Sequence, residues 1–366
     1  MASKKKANPT QNADATLPTH GARSLPLVTV ESYSVEIEDE DGFAGDKANK
    51  GAFLRILDDL RKPLAKLGED PLGNKPSDQI SRKKLAAILS EGDPEAAALV
   101  QAALEQFAQQ LKGVIDRFLK LKPWREVEAI AIGGGFRSSR LGELAVARAA
   151  HLLKADGQKI DIGLIHHDPD EGGLLGAAYL LPTWMMAGHD AMLAADIGGT
   201  NIRAGIVELR LSRTADLSKA GVSELQHWCH HDERELTRDE AVDHLGTMLT
   251  ELAAVAKKRG LHLAPLVGIG CPGVIREDGS IERGAHNLPG AWESSRFNLP
   301  RDIKEHLERI GMHEAVVMVH NDAVVQGLSE IPFMKDKRCW GVLTIGTGLG
   351  NAVFRNKETQ AREPPA

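Results

Sequence analysis

The chain has 366 residues, 42% of them hydrophobic and 26% charged, with a formal net charge of -6. That length accommodates two globular domains, and the acidic balance argues against a general nucleic-acid surface. Cys229, Cys271 and Cys339 are few, scattered and odd in number, which fits a reducing, cytoplasmic setting and excludes a disulfide framework or a four-cysteine zinc site; no apolar run reaches membrane-spanning length, so no membrane partner is expected.

Residues 1–24 are rich in Lys, Asn and Thr, lack an apolar stretch, and read as a disordered tail and not as a signal peptide. Val28 to Ile37 has partial strand alternation, followed by an acidic turn and polar, helical segments up to about Leu67. Asp93-Pro94 is a helix start, with Asp as N-cap and Pro at the first helical position. Val100, Leu104, Phe107, Leu111, Val114 and Phe118 then recur at spacings of four and three, one buried stripe on a long helix. Glu128 to Ile132 is a short strand ending in Gly133-Gly134-Gly135. A helix (Leu141 to Leu153), a strand (Ile160 to Ile165) and a Gly-rich helix start (Gly172 to Leu180) follow. Beyond Met192, strands are expected near Leu193, Ile202, Ser223, Leu266 to Gly270, Ala315 to His320 and Cys339 to Ile345, with a helix from about Asp239 to Lys257. Strands alternating with helices indicate an α/β protein with parallel pairing.

The most informative stretch is Asp196-Ile197-Gly198-Gly199-Thr200-Asn201, a Gly-Gly turn between two apolar runs. Glycines let backbone N–H groups close on a phosphate, Thr200 adds a hydroxyl, and Asp196 at the strand end can hold Mg²⁺ through its waters. Gly346-Thr347-Gly348 is a second such turn. It reads as an opposed phosphate cradle or as a tight hairpin requiring positive φ. Gly133-Gly134-Gly135 could lie flat against an adenine or ribose, or simply turn strand into helix. In His320-Asn321-Asp322, a carboxylate at a strand's C-terminal end suits a general base for a hydroxyl; the plainer reading is Asp322 as a helix N-cap. Gly268 to Gly273 matches a dinucleotide pattern in form, but its last glycine leads to a hairpin and not a helix. His227, Cys229, His230 and His231 look metal-like. On one short strand they would alternate faces, so an ordinary strand is expected there.

These residues carry a family resemblance. From Met192 onward the chain resembles the N-terminal half of a ROK-type sugar kinase, within the actin, hexokinase and Hsp70 ATPase superfamily. Asp196 to Ile206 is similar to the family's first phosphate motif, and Gly346-Thr347-Gly348 to its second. Gly270-Cys271-Pro272-Gly273, Asn287-Leu288-Pro289-Gly290 and Trp292 resemble its sugar-side loops, and Asn321-Asp322-Ala323 its catalytic Asp segment. The first half resembles the family's C-terminal part: Gly92 to Ala96, Gly133-Gly134-Gly135 as adenosine motif, and Gly172 to Ala178 come in family order. The halves stand in swapped order, as in a circular permutation joining the old termini through Trp184 to Met192. Two features depart from the family: its cysteine-rich zinc motif is absent, and the segment Glu38 to Lys50, where a Glu-x-Gly-His would fall, holds no histidine.

The resemblance implies a two-domain actin-like ATPase (ribonuclease H-like) fold with an interdomain cleft. Its C-terminal-like half would span residues 25–190 and its N-terminal-like half residues 191–366. It implies a magnesium-dependent kinase of carbohydrate metabolism, moving the γ-phosphoryl of ATP to a hydroxyl of a hexose-like sugar in a glucokinase-like reaction. Asp322 would be the base and Asp196 would position Mg²⁺. Gly198, Gly199, Thr200, Asn201, Gly346, Thr347 and Gly348 would hold phosphates, and Gly133, Gly134 and Gly135 the adenosine. Gly273, Asn287 and Asn321 would orient the sugar. A homodimer with swapped halves would build the same sites. The rival readings are a ROK-like sugar-sensing regulator, for which Ile80 to Leu89 faintly suggests half a helix-turn-helix, and a nucleotide-binding protein with little kinase activity. Gly92-Asp93-Pro94 interrupts the former where a recognition helix should run.

Overall fold

The computed structural model describes residues 17–40, 42–135, 139–233 and 235–357. Two five-stranded sheets organise the chain. In chain order their strands are β1 (Val28–Tyr33), β2 (Ala129–Gly133), β3 (Asp161–Leu164), β4 (Ala191–Ile197), β5 (Ile202–Glu208), β6 (Gly221–Trp228), β7 (Leu263–Cys271), β8 (Val316–Asn321), β9 (Cys339–Ile345) and β10 (Leu349–Asn356). The helices are α1 (Lys50–Leu67), α2 (Arg82–Glu91), α3 (Pro94–Lys120), α4 (Arg140–Ala155), α5 (Pro169–Ala177), α6 (Arg238–Lys258), α7 (Leu299–His306) and α8 (Asp322–Leu328).

The second sheet has the order β6-β5-β4-β7-β8: β4, β5 and β6 form an antiparallel meander, and β7 and β8 run parallel to β4. The first sheet repeats that pattern in the order β1-β10-β9-β2-β3, with β9, β10 and β1 antiparallel and β2 and β3 parallel to β9. Each sheet thus has the ribonuclease H-like order, three antiparallel strands followed by two parallel ones. In the second sheet the strands come in chain order from the centre outward. In the first, β10 joins β1 to β9: Thr29 stands opposite Arg355 and Tyr33 opposite Ala352.

Three cores follow from the amphipathic patterns. Helices α1 to α4 cover one face of the first sheet, and the α3 stripe from Val100 to Phe118 is buried as its spacing predicts. Asp93 caps α3 with Pro94 at its first position. Helices α6 and α7 cover the outer face of the second sheet. Between the sheets lie α5 and α8, packed closely because a Cβ on Gly176 would fall 1.7 Å from the Val325 carbonyl oxygen. Segment 183–192 joins the two halves, with Trp184 exposed and Met186 buried.

Residues 1–16 of the expected disordered tail lie outside the described residues. Residues 17–24 differ from that expectation. Gly21 N–H donates to the Val319 carbonyl (3.0 Å), and Val319 N–H donates to His20 Nδ1 (3.2 Å). This short arm satisfies backbone groups of β8, which would otherwise be an open sheet edge. Among the described residues no helix is long and apolar enough to cross a membrane.

Candidate active site

Both sheets point the same kind of loop at one cleft of about 480 Å³. The β4–β5 turn contributes Gly198 to Asn201, and the β9–β10 turn contributes Gly346 to Gly348. The end of β2 adds Gly134 and Gly135, and the start of α8 adds Asp322. Asp196, Gly273, Asn287 and Asn321 complete the expected set. Thr200 and Thr347 hydroxyls lie 2.9 Å apart, so the two turns meet directly across the cleft.

Gly133 is the exception. It lies inside β2 opposite Thr344, and a Cβ there would fall 2.3 Å from Ile165 Cδ1. Its glycine serves strand packing, while Gly134, at φ +85°, makes the turn. The positive-φ explanation for Gly346 and Gly348 also gives way, since neither residue adopts it. Close approach is the reason for glycine at Gly199, where a Cβ would sit 2.9 Å from Asn287 Cβ, and at Gly350, where it would sit 2.3 Å from Thr344 Oγ1.

Asp322 opens α8, but Asn321 is the N-cap, its Oδ1 accepting from Val324 N–H at 3.2 Å. The Asn321 amide nitrogen then donates to Ser34 Oγ, the Gly273 carbonyl and Asp322 Oδ1, each at 3.0 Å. Asn321 is 2% exposed, and these bonds tie Asp322 and the loop at Gly273 together at the edge of the cleft. Asn287 lies exposed between the two glycine turns. Trp292 steadies its loop by donating to the Pro289 carbonyl at 2.7 Å.

The two acids face one another. Burial pushes the Asp322 carboxyl up to about 7, and the nearby charge of Asp196 adds to the rise. Asp196 is also raised, by burial against the partial relief of Arg203. Arg203 Nη1 lies 3.6 Å from Asp196 Oδ2, while its Nε donates to Asp170 Oδ1 at 2.8 Å. Gly173 and Gly270 let the backbone pack directly against Asp196: Cβ atoms on them would fall 2.7 Å from Asp196 Cγ and 3.2 Å from Asp196 Oδ1. Both carboxylates line the cleft, and paired carboxylates fit a hard divalent cation.

Several lining residues carry no sequence motif. Ser34, Glu36, Asp46 and Lys50 reach the cleft from the segment after β1, where the family's Glu-x-Gly-His would fall. Ser34 holds a left-handed φ of 49°, and Asn351 clamps the next residue by accepting from Val35 N–H at 3.0 Å and donating to its carbonyl at 2.9 Å. Arg82, from the start of α2, donates to the Gly135 carbonyl. Arg203 was recoverable from sequence, because folding the hairpin about Gly198-Gly199 makes it the cross-strand partner of Asp196. Ser34 was not, because its place depends on β1 meeting β10.

The ROK family model matches residues 192–361. No curated protein matches the chain. Among solved structures, the Lmo2764 protein of Listeria monocytogenes, a candidate N-acetylmannosamine kinase, is 22% identical over 45% of this chain and 47% of its own, with a TM-score of 0.33. A candidate sugar kinase from Cytophaga hutchinsonii is 20% identical over 45% and 48%, with a TM-score of 0.33. The PPX-GPPA enzyme of Aquifex aeolicus is 13% identical over 69% and 82%, with a TM-score of 0.24. The chain thus spans about half the length of the first two. The residues matched by the ROK family model, 192–361, are those that carry the two glycine turns and Asp322.

Proposed function

We propose that the protein phosphorylates a hydroxyl of a hexose-like sugar with ATP and Mg²⁺. The observation that carries this reading is the meeting of two glycine turns from two sheets beside a carboxylate whose proton affinity burial has raised to about 7. Phosphoryl transfer demands positioning and charge neutralisation more than covalent chemistry. In this reading the turns at Gly198 to Asn201 and Gly346 to Gly348 hold the phosphate chain, and Gly134 and Gly135 face the adenosine. Asp322 accepts the proton of the attacking hydroxyl, a task suited to a base poised near neutral pH. Asp196 would hold the metal ion, which supplies neutralisation of phosphate charge. The segment at Ser34 and Glu36 supplies polar groups for a sugar.

The order of the halves is read as a circular permutation. In its support, both sheets share one order of strands, and the first is completed by β1 pairing with β10. Chain termini that lie close together tolerate such a rearrangement.

ADP formation measured across a panel of neutral and N-acetylated hexoses tests the activity. Turnover that depends on one sugar and on Mg²⁺ supports the reading. ATP bound without acceptor-dependent turnover on any sugar favours a nucleotide-binding protein.

A further inference from the structure

The histidine-rich run after β6 looks like a metal cluster in sequence and serves another end in the structure. Strand β6 stops at Trp228, which stands opposite Ile202, the first residue after the glycine turn. The next residues bend beneath that turn. His230 is 3% exposed, and its Nε2 lies 2.8 Å from the Gly198 carbonyl oxygen. A carbonyl only accepts, so Nε2 carries the proton. One residue on, His231 N–H donates to the Thr200 carbonyl at 3.2 Å.

A trans peptide points its C=O and N–H in opposite directions. Holding the Gly198 carbonyl from beneath therefore turns the Gly199 N–H toward the cleft. Holding the Thr200 carbonyl does the same for the Asn201 N–H. The turn itself is closed by Gly198 N–H donating to the Asn201 carbonyl at 2.9 Å. The His230 ring is fixed in turn by Trp228, which meets it edge-on at 5.9 Å, stacks on His244 at 3.9 Å and donates to Glu233 Oε1 at 2.7 Å.

We propose that His230 is a positioning residue for nucleotide binding: its Nε2–H fixes the Gly198 peptide so that the turn's N–H groups face the phosphate chain. Glycines leave this turn free to flip its peptides, and the histidine removes that freedom. The proposal rests on the nucleotide reading above.

The test compares wild type, His230→Ala and His230→Gln as full chains, titrated with Mg-ATP and separately with adenosine. Loss of a well-placed hydrogen bond and of the turn's preorganisation should weaken Mg-ATP about tenfold in His230→Ala. Adenosine, which has no phosphate, should bind within about twofold of wild type, and His230→Gln, whose amide donates, should recover most of the loss. If the alanine variant does not fold, His230→Met replaces it, filling the space without a donor. Unchanged Mg-ATP binding overturns the proposal, as does an equal loss for ATP and adenosine, or a glutamine variant no better than alanine. Wild type that binds no Mg-ATP would instead overturn the nucleotide reading beneath it.

Discussion

The two sheets have the same strand order and directions but are assembled from the chain in different ways. The second, β4 to β8, is drawn from residues 191–321, with its meander and crossovers in sequence order. The first combines β1 to β3 near the start with β9 and β10 near the end. The consequence is functional. Cleft residues on the second sheet lie on short hairpins and strand ends, where motif and position coincide. On the first sheet the Gly346 to Gly348 turn is equally local, but Ser34 reaches the cleft only because β1 pairs with β10, a contact of high sequence separation.

The largest expected effect separates chemistry from binding. Asp322→Asn should lower kcat at least about a hundredfold, the usual scale for a lost general base, with Mg-ATP affinity little changed. Steady-state kinetics alongside ATP titration check both parts. In the wild-type protein, kcat/KM should fall as pH drops below about 7, where Asp322 takes up a proton.

Next comes the joint between the sheets. Gly176→Ala forces a Cβ to within 1.7 Å of the Val325 carbonyl and should destabilise by about 3 kcal/mol, the upper range for overpacking. Chemical denaturation measures this, and an unchanged midpoint would mean that α5 and α8 are not tightly packed.

A further test links the N-terminal arm to the second sheet. His320 is buried, with Nδ1 accepting from Asn321 N–H at 2.7 Å and Nε2–H donating to the Ala22 carbonyl at 3.1 Å. Burial lowers its pKa from 6.5 to about 4, so the neutral ring is the folded form. Its contribution is complete above about pH 6.5 and is lost as pH falls toward about 4. At 1.36 kcal/mol per unit this amounts to about 3 kcal/mol for full burial, and less where the protein opens locally. His320→Gln should flatten stability against pH in that window.

The smallest effect concerns the threonine pair. Thr347→Val removes a hydroxyl 2.9 Å from Thr200 Oγ1 and should change Mg-ATP affinity by about fivefold or less, the scale of one hydrogen bond.

Much of this was legible in sequence where the physics is local. The stripe on α3, the cap at Asp93, the glycine turn after Asp196 and the strand before Asp322 depend on periodicity, capping and turn chemistry. What escaped depends on tertiary contact. The sequence offered Asp322 as the helix N-cap, but that residue is Asn321, whose side chain also binds Ser34, Gly273 and Asp322. Gly133 looked like part of the adenosine turn and is held by packing against Ile165. His230 looked like part of an ordinary strand, since nothing in its spacing shows that the chain bends beneath Gly198.

The central claim is that one nucleotide is held jointly by both sheets. The direct measurement is Mg-ATP titration of wild type, Gly199→Leu and Gly348→Leu, with unfolding curves to confirm that each variant is folded. Each leucine fills the space between the turns, one from the second sheet and one from the first. The account predicts a single site in wild type and a loss of about tenfold or more in both variants. Wild-type affinity in a folded Gly348→Leu or Gly199→Leu variant would contradict it.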